Sequence, residues 1–186
     1  YVHDLVLTMI KKWSWAYIDE FVWVKPNPHK QVVWRFTNFF EHIHWFNRST
    51  EFKWYPQNVM SESDAMVDTL PEDWGASRWG PDQGEGVDKV PPTSGVKGYS
   101  FPSNVLRYGN EHAYGHPAAF PRRLSEFFMK SMSTSGDVWF DPFCGSGTSI
   151  DAAERTKRIC YGVELKPAYV AIALERMKHL NPRRVQ

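Results

Sequence analysis

Asp141-Pro142-Phe143-Cys144-Gly145-Ser146-Gly147-Thr148-Ser149 is the stretch on which the fold turns. It follows a short apolar run, Val138-Trp139-Phe140, and leads into residues 147–156, where Ile150, Ala152 and Ala153 are available to pack as one side of a helix. Residues 159–163 form a second apolar run, and 167–180 place Val170, Ala173, Leu174 and Met177 on one helical face, with Pro167 suited to a first helical turn. Upstream, 121–132 has helical spacing, with Leu124, Phe127, Phe128 and Ser131 to one side. Helix, strand, helix, strand, helix in that order predicts an α/β fold with right-handed crossovers and a parallel sheet. The quoted loop then leaves the carboxyl end of its strand, where open α/β sheets bind ligands.

Three ligand classes compete for such a loop. A mononucleotide phosphate loop needs a lysine after its last glycine, and Thr148 follows Gly147. A dinucleotide loop needs a third glycine three places on, and position 150 is Ile150. A nucleoside with a short zwitterionic tail, such as S-adenosyl-L-methionine, needs a helix start for its carboxylate and an acid at the tip of the next strand. Glu164 stands there, 17 residues after Gly147. Gly145 and Gly147 are expected to let backbone N–H groups approach that ligand, and Ser146 and Thr148 to add hydroxyls beside it.

The rest of the chain divides by its glycines. All 12 lie from Gly75 to Gly162, so the first 74 residues read as regular structure. Leu5, Val6, Met9, Ile10, Trp13 and Tyr17 predict a helix over 2–18. Residues 21–24 and 40–46 read as strands, the second with Phe40, His42, His44 and Phe46 on one face. Residues 56–115 show no sustained periodicity and read as a loop-rich insertion. The expected organisation is therefore 1–55 as the N-terminal part of one sheet, 56–115 as the insertion, and 116–186 as the ligand-binding part of the same domain.

Composition narrows the function classes. Apolar residues make up 42% of the 186 and charged residues 23%, which excludes wholesale disorder. No apolar run is long enough for a membrane helix, the start lacks a signal-peptide pattern, and two cysteines form no disulfide framework; a cytoplasmic protein is expected. Residues 61–88 hold eight acids against one base, leaving the remainder with 21 bases and 13 acids. A basic body favours a polyanionic partner; the acidic stretch does not lie along phosphates.

Several residues have competing readings. His42 and His44 share a strand face but lack a third ligand, so a metal site is not expected. Cys144 reads as a small buried filler rather than a nucleophile. Trp13, Trp15, Trp23, Trp34 and Trp45 read as core, whereas Trp54, Trp74 and Trp79 are better placed to stack on bases.

The run from His116-Pro117-Ala118-Ala119-Phe120-Pro121 through Gly136-Asp137-Val138-Trp139-Phe140 and the quoted loop resembles the DNA amino-methyltransferases. Ala152-Ala153, residues 162–170, Ile172-Ala173 and Arg176 extend the likeness. It resembles in particular the permuted group whose cofactor motif lies near the C-terminus. The dense likeness covers about residues 104–177. It implies a Rossmann-like methyltransferase sheet, incomplete in this chain and carrying a loop-rich, target-recognition-like insertion. It also implies methylation of adenine N6 or cytosine N4 with S-adenosyl-L-methionine, on double-stranded DNA with the base flipped. Asp141, Phe143, Gly145, Ser146, Gly147 and Thr148 would then form the cofactor loop. Glu164 would accept the ribose hydroxyls, Leu165 would pack on adenine, and the turn from His116 to Pro121 would close the methionine side. Self-association and a restriction-modification setting are compatible with it.

The family's catalytic tetrapeptide, Asp, Asn or Ser followed by Pro-Pro and an aromatic, does not occur. The one Pro-Pro, Pro91-Pro92, sits between Val90 and Thr93. In the permuted order the motif is expected upstream of Tyr1, and this chain is expected to be the C-terminal part of a longer enzyme. The other reading is a non-catalytic methyltransferase-like subunit that binds cofactor or nucleic acid and supports a partner.

Overall fold

A computed structural model describes residues 2–25, 36, 38–62, 99–109 and 120–180. The expectations for His116, Trp34, Trp74, Trp79, Pro91-Pro92 and most of the acidic stretch lie outside these residues. The chain divides into two compact units, Tyr1–Val59 with Ser103–Gln186, and Met60–Pro102. In the second unit β3 (Ser61–Glu62) pairs antiparallel with β4 (Tyr99–Ser100).

The first unit begins with α1 (Val2–Lys11), none of whose residues is buried. The predicted helix over 2–18 is thus cut short. Ser14 adopts a left-handed backbone, φ +54°, and residue 16 already belongs to β1 (Ala16–Val24). The run Ala-Tyr-Ile-Asp-Glu-Phe-Val-Trp-Val is aromatic and β-branched, which suits a pleated surface. β2 (Phe40–Asn47) supplies its partner, in antiparallel register from Ala16↔Asn47 to Val24↔Phe40. Tyr17 packs edge-on against Phe46 and shares a hydrogen bond with His44 Nδ1 at 3.2 Å. Local helical spacing lost to this cross-strand pairing.

The opposite edge of β1 pairs in parallel with β5 (Val105–Arg107), a strand inside the stretch read as irregular. Leu106 is its one buried residue. Phe21 and Trp23, two apart on β1, join Leu106 and the α2 (Arg122–Met132) residues Leu124 and Phe127 in the larger core. Phe21 meets Phe128 and Phe127 edge-on, at 5.0 and 6.2 Å between centroids. The Trp23 indole N–H donates to the Tyr108 carbonyl at 3.0 Å. On the other face of β2, His42 and His44 stack at 6.1 Å, as their alternation predicted. Among the described residues no group of three or more His, Cys, Asp or Glu is placed to hold a metal.

β6 (Val138–Asp141) and β7 (Ile159–Gly162) are parallel, in register from Val138↔Ile159 to Asp141↔Gly162. The predicted parallel pair and its helices α3 (Thr148–Arg155) and α4 (Pro167–Met177) are therefore present. Met129, Ala152 and Ala153 form a second core against Trp139 and Cys160. Helix α2 serves both cores, turning Leu124 and Phe127 to one and Met129 to the other. Hydrogen bonds among the described strands of this unit make two ladders, β2-β1-β5 and β6-β7. The far face of the parallel pair, with Val138, Phe140, Ile159 and Tyr161, is exposed. Trp23 is buried and Trp45 packs on the larger core, but Trp13 is 54% exposed and does not serve as core. Trp54 is also exposed. No described helix is long and apolar enough to cross a membrane.

Ala152 is fully buried where α3 packs on α2. Ala152→Leu has no space to fill and should cost about 1–3 kcal/mol, read as a lowered thermal midpoint. An unchanged midpoint would contradict this packing. Burial pushes the Cys160 thiol up to about 11. At pH 8 roughly one thiolate in a thousand follows, against about a quarter for an ordinary thiol. Iodoacetamide should therefore label Cys160 slowly in the native chain and rapidly in urea. Because the folded state holds the proton more tightly, this contribution to stability is complete below the ordinary thiol range. It is lost as pH rises toward 11.

Candidate functional site

The parallel register brings the ends of β6 and β7 level, and the loop after β6 is laid across the end of β7. Cys144 N–H donates to the Val163 carbonyl at 3.0 Å, and Val163 N–H to the Asp141 carbonyl at 2.9 Å. Asp141 organises the loop from within. Its Oδ1 accepts the Phe143 N–H at 2.9 Å, and its Oδ2 accepts the Ser149 hydroxyl at 2.5 Å. Both oxygens are thus engaged by the loop itself.

Gly145 and Gly147 have φ of +54° and +83°, a region that favours glycine. Gly147 N–H closes the turn onto the Cys144 carbonyl at 2.8 Å, and Gly147 is the N-cap of α3, which has no side-chain cap. A Cβ at Gly147 would meet Ala173 Cβ on α4 at 3.2 Å. The glycine is therefore needed for a left-handed turn packed against a helix, and the space saved faces α4. A Cβ at Gly162 would stand 2.9 Å from the Cys144 sulfur, so these two positions also pack together.

Ser146 and Thr148 are buried, at 3% and 6% exposure. The Ser146 hydroxyl faces inward, accepting from Arg176 Nη1 at 3.2 Å, while the Ser146 carbonyl accepts from the same atom at 2.5 Å. Cys144 is buried, as a filler should be. Burial, then the Asp141 and Glu164 carboxylates, push its thiol pKa up, away from nucleophilic character.

Glu164 is half-buried beyond β7 and spans two backbones. Its Oε2 accepts the Gly145 N–H at 3.1 Å and its Oε1 accepts the Lys166 N–H at 2.8 Å, at the N-cap of α4. The carboxylate thus ties the glycine loop to the start of α4. Phe143, in the same loop, and Leu165, next in the chain, are 85% and 93% exposed. Two exposed apolar side chains beside a carboxylate suit a ligand that has both a flat ring and hydroxyl donors. Pro121 is fully buried and caps α2; His116 lies outside the described residues.

One cluster escaped the sequence reading. Asp151, one helical turn after Gly147, receives Arg155 Nε at 2.8 Å, Arg122 Nη1 at 3.4 Å and Arg176 Nη2 at 3.8 Å. Along the chain only the spacing of four between Asp151 and Arg155 marks it; Arg122 and Arg176 arrive from α2 and α4. Two shallow clefts of about 440 and 480 Å³ share Lys53 and Met132 and lie along Trp139 and Trp45, away from residues 143–147 and 164–165.

The family model described as DNA methylase matches residues 2–175. The type II methyltransferase M.PvuII of Proteus hauseri is 26% identical over 201 residues, covering 97% of this chain and 60% of that protein. The orphan methyltransferase M.BamHII of Bacillus amyloliquefaciens is 38% identical over 92 residues, 45% of this chain and 35% of that protein. The chain thus spans about a third to three fifths of these curated relatives. Among solved structures, the cytosine-N4-specific PvuII DNA methyltransferase superposes with a TM-score of 0.67 at 22% identity, covering 95% of this chain and 56% of that one. The M1.HpyAVI-SAM complex gives 0.59 at 17% identity, covering 94% and 68%. These likenesses establish the Rossmann-like α/β fold of the methyltransferases. By a family match running nearly the whole length of the sequence, the chain belongs to the DNA methylases.

Proposed function

We propose that this chain forms the cofactor-holding part of an enzyme that methylates an exocyclic amino group, adenine N6 or cytosine N4, in double-stranded DNA. The observation that carries the reading is Glu164, held by the Gly145 and Lys166 N–H groups, with exposed Phe143 in the same loop and exposed Leu165 next in the chain. S-adenosyl-L-methionine, when bound, supplies an electrophilic methyl on its sulfonium. The chain's own part is positioning. Glu164 accepts ribose hydroxyls, Phe143 and Leu165 flank the ring system, and the uncapped start of α3 favours the tail carboxylate. Asp141, Gly145, Ser146, Gly147 and Thr148 shape the loop that makes this edge, and Pro121 and His116 border the methionine side. The second unit, Met60–Pro102, which makes up most of the stretch read as an insertion, serves target recognition, and the base is flipped out of the duplex for transfer.

Losing a charged acceptor costs about 1.5–3 kcal/mol, so Glu164→Ala should weaken S-adenosyl-L-methionine binding by roughly tenfold to a hundredfold in calorimetry. Because Glu164 also ties two backbones, the variant should melt earlier as well. A 2′,3′-dideoxy analogue isolates the ribose contact: its affinity should fall much less. Equal loss for both ligands would remove the ribose assignment and leave only the structural tie.

The missing Pro-Pro-aromatic tetrapeptide favours a second reading, a subunit that binds cofactor and supports a partner. Under either reading the 186 residues alone should transfer no labelled methyl to mixed DNA while still binding the cofactor. Transfer by this chain alone would mean that its catalytic residues lie outside the familiar motif.

A further inference from the structure

We propose that Arg176 is a positioning residue for the glycine loop, acting as a buried strut from α4 that holds the Ser146 peptide in its productive orientation. The inference rests on the cofactor reading above for its consequence, but on independent geometry for its substance.

Ser146 lies between two residues of positive φ, Gly145 and Gly147, so its peptide units have no regular ladder to hold them. It is 3% exposed, and its carbonyl is withdrawn from water. A buried carbonyl without a donor is costly. Arg176, 30 residues later, supplies that donor through Nη1, at 2.5 Å from the carbonyl and 3.2 Å from the hydroxyl. The other end of the same peptide unit is held as well, since Gly147 N–H donates to the Cys144 carbonyl. The 146–147 peptide plane is therefore pinned at both ends.

Arg176 is itself only 12% exposed and needs a counter-charge. Asp151 provides it, at 3.8 Å from Nη2. Asp151 is also shared by Arg155 and Arg122, and Arg122 is further held by Glu126 at 2.9 Å. Arg122 opens α2 directly after Pro121, so one carboxylate joins the starts of α2 and α3 to α4 beneath the loop. The planar guanidinium can serve the Ser146 carbonyl and the Asp151 carboxylate together; an ammonium is a point donor that serves both less well.

The test pairs amide hydrogen exchange with calorimetry on the 186-residue chain and its Arg176→Ala, Arg176→Gln and Arg176→Lys variants. Arg176→Ala should raise exchange at residues 144–149 and weaken S-adenosyl-L-methionine at least tenfold, while amides of 127–129 stay protected. Arg176→Lys should recover part of the affinity, and Arg176→Gln less. If Arg176→Ala fails to fold, the Lys and Gln variants carry the same ordering. Unchanged loop exchange and affinity within twofold of wild type in every folded variant would overturn the proposal. If the wild-type chain does not bind S-adenosyl-L-methionine but loop exchange still rises, the cofactor reading falls and the strut stands.

Discussion

The parallel pairing of β6 with β7 is the constraint from which the site follows. With Asp141 opposite Gly162, the chain leaving one strand and the chain leaving the other emerge side by side. Only then can Cys144 bond the Val163 carbonyl, and only then does Glu164 fall within reach of the Gly145 N–H. A one-residue slip would turn each alternating side chain to the opposite face. It would take Trp139 and Cys160 off the core formed with Met129, Ala152 and Ala153. The small residues on α3 secure the pairing, because they let α2 and α3 lie close over the strands.

Within the loop, two carboxylates divide the work. Asp141 is consumed in holding its own turn, through Phe143 N–H and the Ser149 hydroxyl. Glu164 holds two backbone segments from outside, the Gly145 N–H of the loop and the Lys166 N–H before α4. Their environments differ: Asp141 is enclosed by its own loop, whereas Glu164 is half-buried and joins that loop to the start of α4. The glycines are fixed by backbone conformation and packing. Gly147 answers to a left-handed backbone and to Ala173, and Gly162 to Cys144.

Helix α2 connects the two strand ladders. Leu124 and Phe127 pack on the face made by Phe21, Trp23 and Leu106, while Met129 packs over the parallel pair. Its first residue, Arg122, reaches Asp151. The helix that organises the cores therefore also touches the charge cluster beneath the loop, so packing and site geometry are not separable here.

The sequence by itself determined the parallel strand pair, its three helices, the loop and the acid at its rim. Those features are local: short apolar runs, period-3.6 apolar spacing, glycines where the backbone turns sharply, and an acid a fixed distance beyond. The family likeness rests on the same contiguous residues. Tertiary structure decided what depends on distant partners. Residues 16–18 left the helical pattern for a ladder with β2, and residues 105–107 became a strand because β1 offered an edge. Ser146 turned inward because Arg176 waits beneath it, and Asp151 gathered arginines from three helices. Spacing along a chain reports which face a residue takes, but a buried charge or carbonyl is satisfied by whichever group the fold brings to it, and that group can lie 30 residues away.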